Sequence, residues 1–165
     1  VICQYTTDVK IKWPNDILYQ SKKLVGILTE MSAEIDAINH IVIGMGINVN
    51  IPQDGFPDEL QSIATSLSII SKQEISRLTL LNEILRELES AHEEVVQHGF
   101  LNILDEWREL SVTLGQKVDV VGSGRNFSGT AIDIDQDGAL LVQTEECLER
   151  VLAGDVSIRP RQSES

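Results

Sequence analysis

VKIKWPNDILYQSKKLVGILTEM, residues 9–31, is the stretch from which the fold is read. VKIKW alternates apolar and polar side chains, the period of a half-buried strand, and KLVGILTEM, residues 23–31, is a longer apolar run of the same character. Between them stand Pro14, which fixes its own backbone angle, and Asn15 and Asp16, which readily close turns on nearby amides, so the chain turns there. A third run, HIVIGMGINVN at residues 40–50, follows the segment Ser32–His40, read as a hairpin loop of moderate length. Three strands in succession predict an antiparallel sheet.

Beyond a loop rich in Pro, Gly and Asp, Ile51–Glu59, the period changes. Leu78, Leu81, Ile84, Leu85, Leu88, Ala91 and Val95 recur at threes and fours, which predicts a helix with one buried stripe, Ser76 as its N-cap and Gly99 as its stop. Phe100, Ile103, Leu104, Trp107 and Leu110 predict a second, shorter helix, and the glutamates crowding both read as a solvated face. After Gly115 the period returns to two. Short strands are expected at 117–121, 127–135, 139–144 and 148–158, with Asp137–Gly138 marking a tight hairpin. Strands, then helices, then short strands give an α+β chain: an antiparallel or mixed sheet with helices, followed by a small barrel similar to an SH3-like domain, the division falling between residues 112 and 113.

Composition narrows the function. The 165 residues are 42% hydrophobic, enough for a buried core, and carry a formal charge of -13. Such a field repels nucleic acid and anionic membranes, so neither is an expected partner, and any phosphate site must be local and walled. Cys3 and Cys147 stand at opposite ends with no metal-ligand spacing, as in a reduced cytoplasmic protein. No apolar run reaches the ~20 residues that span a bilayer. The chain starts at Val1 with no Met, and its first residues read as the middle of a domain.

The chemistry gathers around the first turn. KWPND ends a strand so that Asn15 and Asp16 can project toward a ligand, although the same residues also make an ordinary turn. Lys23 enters an apolar run, where its charge needs an anion or water; it meets a phosphate or carboxylate, or reaches solvent beside Lys22. Gly26, in the middle of that run, either admits a flat ligand or marks a bulge. GMGINVN lacks the third glycine and the following helix of a dinucleotide fingerprint, but Gly46 and Asn48 at a strand end suit a purine. His40, His92 and His98 are scattered, and no metal-ligand spacing or Ser-His-Asp arrangement occurs.

KWPNDIL, KKLVGILTE and GMGINVN, in this order and spacing, resemble the catalytic domain of biotin protein ligases, the biotin-[acetyl-CoA-carboxylase] ligase family, and AGDVSIRP at 153–160 resembles the end of that family's C-terminal barrel. The resemblance implies that residues 1–112 are part of a class II aminoacyl-tRNA synthetase-like catalytic domain and 113–165 an SH3-like barrel. It implies the substrates ATP and biotin with Mg²⁺, a biotinyl-5'-AMP intermediate, and as partner the biotin carboxyl carrier domain of acetyl-CoA carboxylase or a similar enzyme. Lys23 matches the lysine that contacts biotin and the α-phosphate. Asn15 and Asp16 match the pair ordering phosphates and metal, with Asp16 the Mg²⁺ ligand. Gly26 and Trp13 fall to the biotin and adenylate wall, Asn48 and Gly46 to the nucleotide, Arg159 to its phosphates, and Asp155 to coupling of the two domains.

The family's Gly- and Arg-rich loop, normally upstream of KWPND, has no counterpart in this sequence, nor does a DNA-binding helix-turn-helix. This polypeptide alone is therefore expected to be a weak or inactive ligase, with uncovered apolar faces that favour self-association, including a homodimer. Two other readings stand beside it: a non-catalytic module that binds ligand or carrier, and a related ligase that adenylates lipoate.

Overall fold

Residues 9–47 form four strands where three were expected between Val9 and Asn50. A computed structural model describes residues 1–34, 37–122, 126–153 and 156–160. In it β1 (Val9–Lys12), β2 (Asp16–Tyr19), β3 (Lys22–Glu34) and β4 (Ala37–Ile47) make one sheet in that order. β2, β3 and β4 are successive antiparallel neighbours. Strand β2 escapes the sequence reading because DILY is short and follows turn residues directly; Gln20 and Ser21, both at positive φ, turn it back into β3. The loop expected over Ser32–His40 is mostly strand, since β3 runs on to Glu34 and β4 starts at Ala37. Ile35 and Asp36 lie outside the described residues.

Helices follow. α1 (Leu67–Ser71) was not expected; Ser66, fully buried, caps it by accepting from the Ile69 N–H at 3.4 Å. α2 (Arg77–His98) and α3 (Leu101–Leu110) lie where the periodicity puts them. Ser76 Oγ accepts from the Thr79 N–H, and Gly99 sits at φ +76°, the left-handed conformation that ends a helix without a Cβ penalty. The expected buried stripe on α2 is not found: Leu78, Leu81, Leu85 and Leu88 are exposed, and burial rests on Leu80 with Ile84 packed beside it.

A second sheet, in the order β8-β7-β6-β5-β9, contains β5 (Lys117–Gly122), β6 (Phe127–Ile134), β7 (Leu140–Gln143), β8 (Leu148–Val151) and β9 (Val156–Pro160). The run expected at 148–158 divides into β8 and β9, which lie at opposite edges of the sheet. Alternation sends Val118 and Val120, then Leu140 and Val142, into the core. The predicted hairpin closes with Gly138 at φ +77° and its N–H on the Asp135 carbonyl.

The chain forms two compact units, Val1–Lys10 with Asn15–Ser90, and Ile11–Pro14 with Ala91–Ser165. The first buries Leu24, Val25, Val49, Leu67, Ile75 and Leu80. The second buries Trp13 and Leu104 with Val118, Val120, Ala131, Ile134, Leu140, Val142 and Val151. The second unit thus takes in α3 and four residues of the KWPND approach, which a division at 112/113 assigns elsewhere. Among the described residues no helix is long and apolar enough to cross a membrane.

Candidate active site

A bulge makes the site. The β2–β3 register runs Asp16↔Gly26 and Ile17↔Val25, then skips Leu24 to pair Leu18 with Lys23. Strict alternation would put Lys23 and Gly26 on opposite faces; one extra residue moves Lys23 onto the face of Gly26 and lets Leu24 and Val25 both turn inward, 0% and 3% exposed. Lys23 is then clamped by its backbone, its N–H donating to the Ile63 carbonyl at 2.7 Å and its carbonyl accepting from the Thr65 N–H at 3.0 Å. Its ammonium lies 2.6 Å from Asp16 Oδ1, with half of the lysine side chain still exposed. Gly26 gives the pair room, because a Cβ there would lie 3.1 Å from both Cε and Nζ of Lys23.

Across the sheet Asp16 pairs with Gly26, and Gly26 with Gly46. Two adjacent glycines leave a patch of bare backbone beside the ion pair. Asn15 borders it, doubly tied to β3: its carbonyl accepts from the Ile27 N–H at 2.9 Å and its side-chain amide donates to the Ile27 carbonyl at 2.6 Å. That leaves the side-chain oxygen of Asn15 as an acceptor for a ligand. Asn48 is fixed by its backbone, which donates to Leu24 and accepts from Leu67.

Two concavities meet here, sharing Lys23, Gly26 and Gly46. One is an open groove of about 610 Å³ bordered by Asn15, Asp16, Gly44 and Met45. The other, about 360 Å³, is bordered by Asn48 and by apolar side chains of Phe56, Leu60, Ile63 and Ala64. Lys23, Asp16, Asn15, Gly26, Gly46 and Asn48 are therefore brought together. The apolar wall escaped the sequence reading, although Phe56 within the turn-rich loop and Leu60 and Ile63 just after it were a legible signal.

Trp13, expected in the ligand wall, lies elsewhere: it borders neither concavity and is 3% exposed in the core of the second unit. Alternation explains it, since an indole at the end of VKIKW lands on the inward face. The Arg159 backbone belongs to β9 opposite Asp119. Its side chain, like Asp155, lies outside the described residues.

Residues 4–48 match the model of the Biotin/lipoate A/B protein ligase family, and residues 113–159 that of the Biotin protein ligase C terminal domain. The bifunctional ligase/repressor BirA of Bacillus spizizenii is 42% identical over 148 residues, 90% of this chain and 46% of that protein. The biotin-[acetyl-CoA-carboxylase] ligase of Mycobacterium tuberculosis is 34% identical, over 88% of this chain and 52% of that protein. The chain spans about half the length of these curated relatives. Among solved structures, the apo biotin protein ligase of Aquifex aeolicus is similar with a TM-score of 0.81 and 28% identity, covering 93% of this chain and 66% of that one. The same organism's ligase in complex with biotin and ATP gives 0.76 and 29%, covering 93% and 62%.

Proposed function

The chain belongs to the biotin protein ligase family, and from that membership we propose that its first unit holds the biotinyl-adenylate half-site of an ATP-dependent ligase acting on a lysine of a biotin carboxyl carrier domain. The observation that carries the reading is the Lys23–Asp16 pair set over the bare backbone of Gly26 and Gly46, between a polar groove and an apolar cavity. In this reading residues 1–112 are the C-terminal part of a class II aminoacyl-tRNA synthetase-like catalytic domain, and the five antiparallel strands of 113–165 an SH3-like barrel.

In the first step a biotin carboxylate oxygen bonds to the α-phosphorus of ATP, the bond to the bridging oxygen breaks, and pyrophosphate leaves. Two anions meet, so a cation must stand where charge gathers; the Lys23 ammonium does, held by Asp16 and half-open to the groove. In the second, a carrier lysine amine attacks the acyl carbon, AMP leaves, and the nitrogen releases a proton. The apolar cavity takes the adenine, with the Asn48 amide reading its edge. Glycine backbone lies under the acyl phosphate. Arg159 and Asp155 keep their roles toward the phosphates and toward domain coupling.

No group of three or more His, Cys, Asp or Glu side chains gathers among the described residues; a Mg²⁺ arriving with ATP would find the Asp16 carboxylate as its protein ligand here. Bound there, it would neutralise phosphate charge that a chain of net charge -13 otherwise repels. The first family match admits lipoate ligases as well, whereas the match at 113–159 is to the biotin enzymes, which favours biotin.

Calorimetry with a non-hydrolysable biotinyl-adenylate analogue and Mg²⁺ tests the reading. Saturable binding that is lost in Lys23→Ala is expected, with lipoyl-adenylate a poor competitor. Absence of binding, or binding indifferent to Lys23, would overturn it.

A further inference from the structure

The apolar cavity of the first unit has a wall made of loop. Phe56, Leu60 and Ile63 border it from a stretch whose regular structure is one 3-10 turn, Gln53–Gly55. Inside that stretch the backbone closes single turns: the Leu60 N–H donates to the Pro57 carbonyl at 2.8 Å, and the Ala64 N–H to the Leu60 carbonyl at 2.8 Å. Isolated turns fix side chains less firmly than a helix or a sheet does. Something else must hold the wall.

Gln61 borders neither concavity, yet it gathers the loop. Its side-chain nitrogen donates to the Phe56 carbonyl at 3.1 Å and to Asp58 Oδ1 at 3.2 Å, which commits both amide hydrogens. Its backbone carbonyl accepts from Gln53 Nε2 at 2.9 Å, and Lys22 Nζ reaches the same oxygen at 3.5 Å. One residue thus ties the 3-10 turn, the backbone of Phe56, the Asp58 carboxylate and the first residue of β3. Two residues further on, the Ile63 carbonyl receives the Lys23 N–H, so the loop so gathered ends on the site lysine. All of these residues belong to the first unit.

We propose that Gln61 is a positioning residue for the apolar wall, holding Phe56, Leu60 and Ile63 at the spacing that a flat base requires. Spacing matters because a gap of about 0.5–1 Å forfeits a quarter to a half of each dispersion contact. That the wall receives adenine rests on the function proposed above; the hold of Gln61 on the loop does not.

Gln61→Met keeps the length of the side chain and removes both donors, and Gln61→Ala removes the side chain altogether. Each is expected to weaken the biotinyl-adenylate analogue with Mg²⁺ about tenfold, while the same analogue lacking the adenine base changes less than about twofold. A merely structural role would weaken both ligands together. Hydrogen exchange at the Leu60 and Ala64 amides reads the loop without any ligand. Both variants should exchange there about tenfold faster, with the Asn48 and Leu67 amides, bonded to the Leu24 and Asn48 carbonyls, unchanged. If the parent chain fails to bind the analogue, the proposed function falls and the Leu60 and Ala64 amides still decide this inference. Unchanged exchange at both amides in both variants, or equal loss of the two ligands, overturns it.

Discussion

Lys23 and Asp16 are joined across β2 and β3 at 2.6 Å, over a glycine whose missing Cβ is what lets them meet. The pair is half-exposed on the lysine side, so solvent screens it and it adds under about 1 kcal/mol to stability. Its value lies in ligand binding. Asp16→Asn should melt within a few degrees of the parent chain yet bind the adenylate analogue with Mg²⁺ at least about tenfold more weakly, since a charge-assisted contact is lost. Calorimetry paired with thermal denaturation checks both halves, and a variant that binds normally would remove Asp16 from the site.

Gly26→Ala and Gly46→Ala separate crowding of the lysine from crowding of the floor. A Cβ at Gly26 meets the flexible end of Lys23 at 3.1 Å, so the ammonium moves and the fold survives. At Gly46 the nearest atom is the Gly26 carbonyl oxygen at 3.7 Å, an ordinary contact, and the new methyl only fills the floor. Both should fold, and both should bind the analogue more weakly. Titration of the Lys23–Asp16 geometry by NMR should show a displaced ammonium in the first variant alone.

Acid acts on the second unit through its aspartates. Hydrogen bonding from Arg150, aided by the backbone N–H groups of Ala139 and Asp137, outweighs desolvation and holds the Asp135 carboxyl below its ordinary 3.8. For Asp133, burial pushes upward, but Arg108 and the Ile134 N–H together bring the net shift down. A carboxyl depressed by folding stabilises above its unfolded value and loses that contribution as pH falls through the folded one. The stability difference between the parent chain and Asp135→Asn should accordingly stay level from pH 7 to about 5 and shrink toward about pH 2. A difference independent of pH across that window would contradict the assignment.

Leu140 is fully buried in the core of the second sheet. Leu140→Ala should destabilise that unit by about 2–5 kcal/mol, the range for a truncated core leucine. Hydrogen exchange at the β6–β7 amides would register the loss.

Period carried most of the fold. α2, α3 and the strands β5, β6 and β7 stand where threes, fours and twos put them, whereas the run at 148–158 splits into β8 and β9, and Ser76, Gly99 and Asp137–Gly138 mark ends by local backbone chemistry that depends on few neighbours. Period says nothing of which face finds a partner, and so Leu80 is buried in α2 while Leu81 and Leu85 are not. At the site, Asn15, Asp16, Lys23, Gly26, Gly46 and Asn48 were legible as motifs. What makes them one site is the skipped Leu24, a feature of pairing between strands that no single strand displays. Trp13 was misplaced for the opposite reason: its motif neighbours suggested a ligand wall, and its inward position at the end of an alternating strand won.

The burial of Trp13 in the second core bears on how such a chain can be taken apart. Cutting between residues 112 and 113, where the sequence suggests a seam, would strip Trp13 and Leu104 from the buried core of the second unit and remove Trp107 packed against it. The C-terminal sheet is then no cassette that recombination could lift out and splice onto another protein. Expressed alone, 113–165 should give the narrow amide dispersion of an unstructured peptide, whereas supplying 91–112 and a tethered copy of the KWPND strand should restore it.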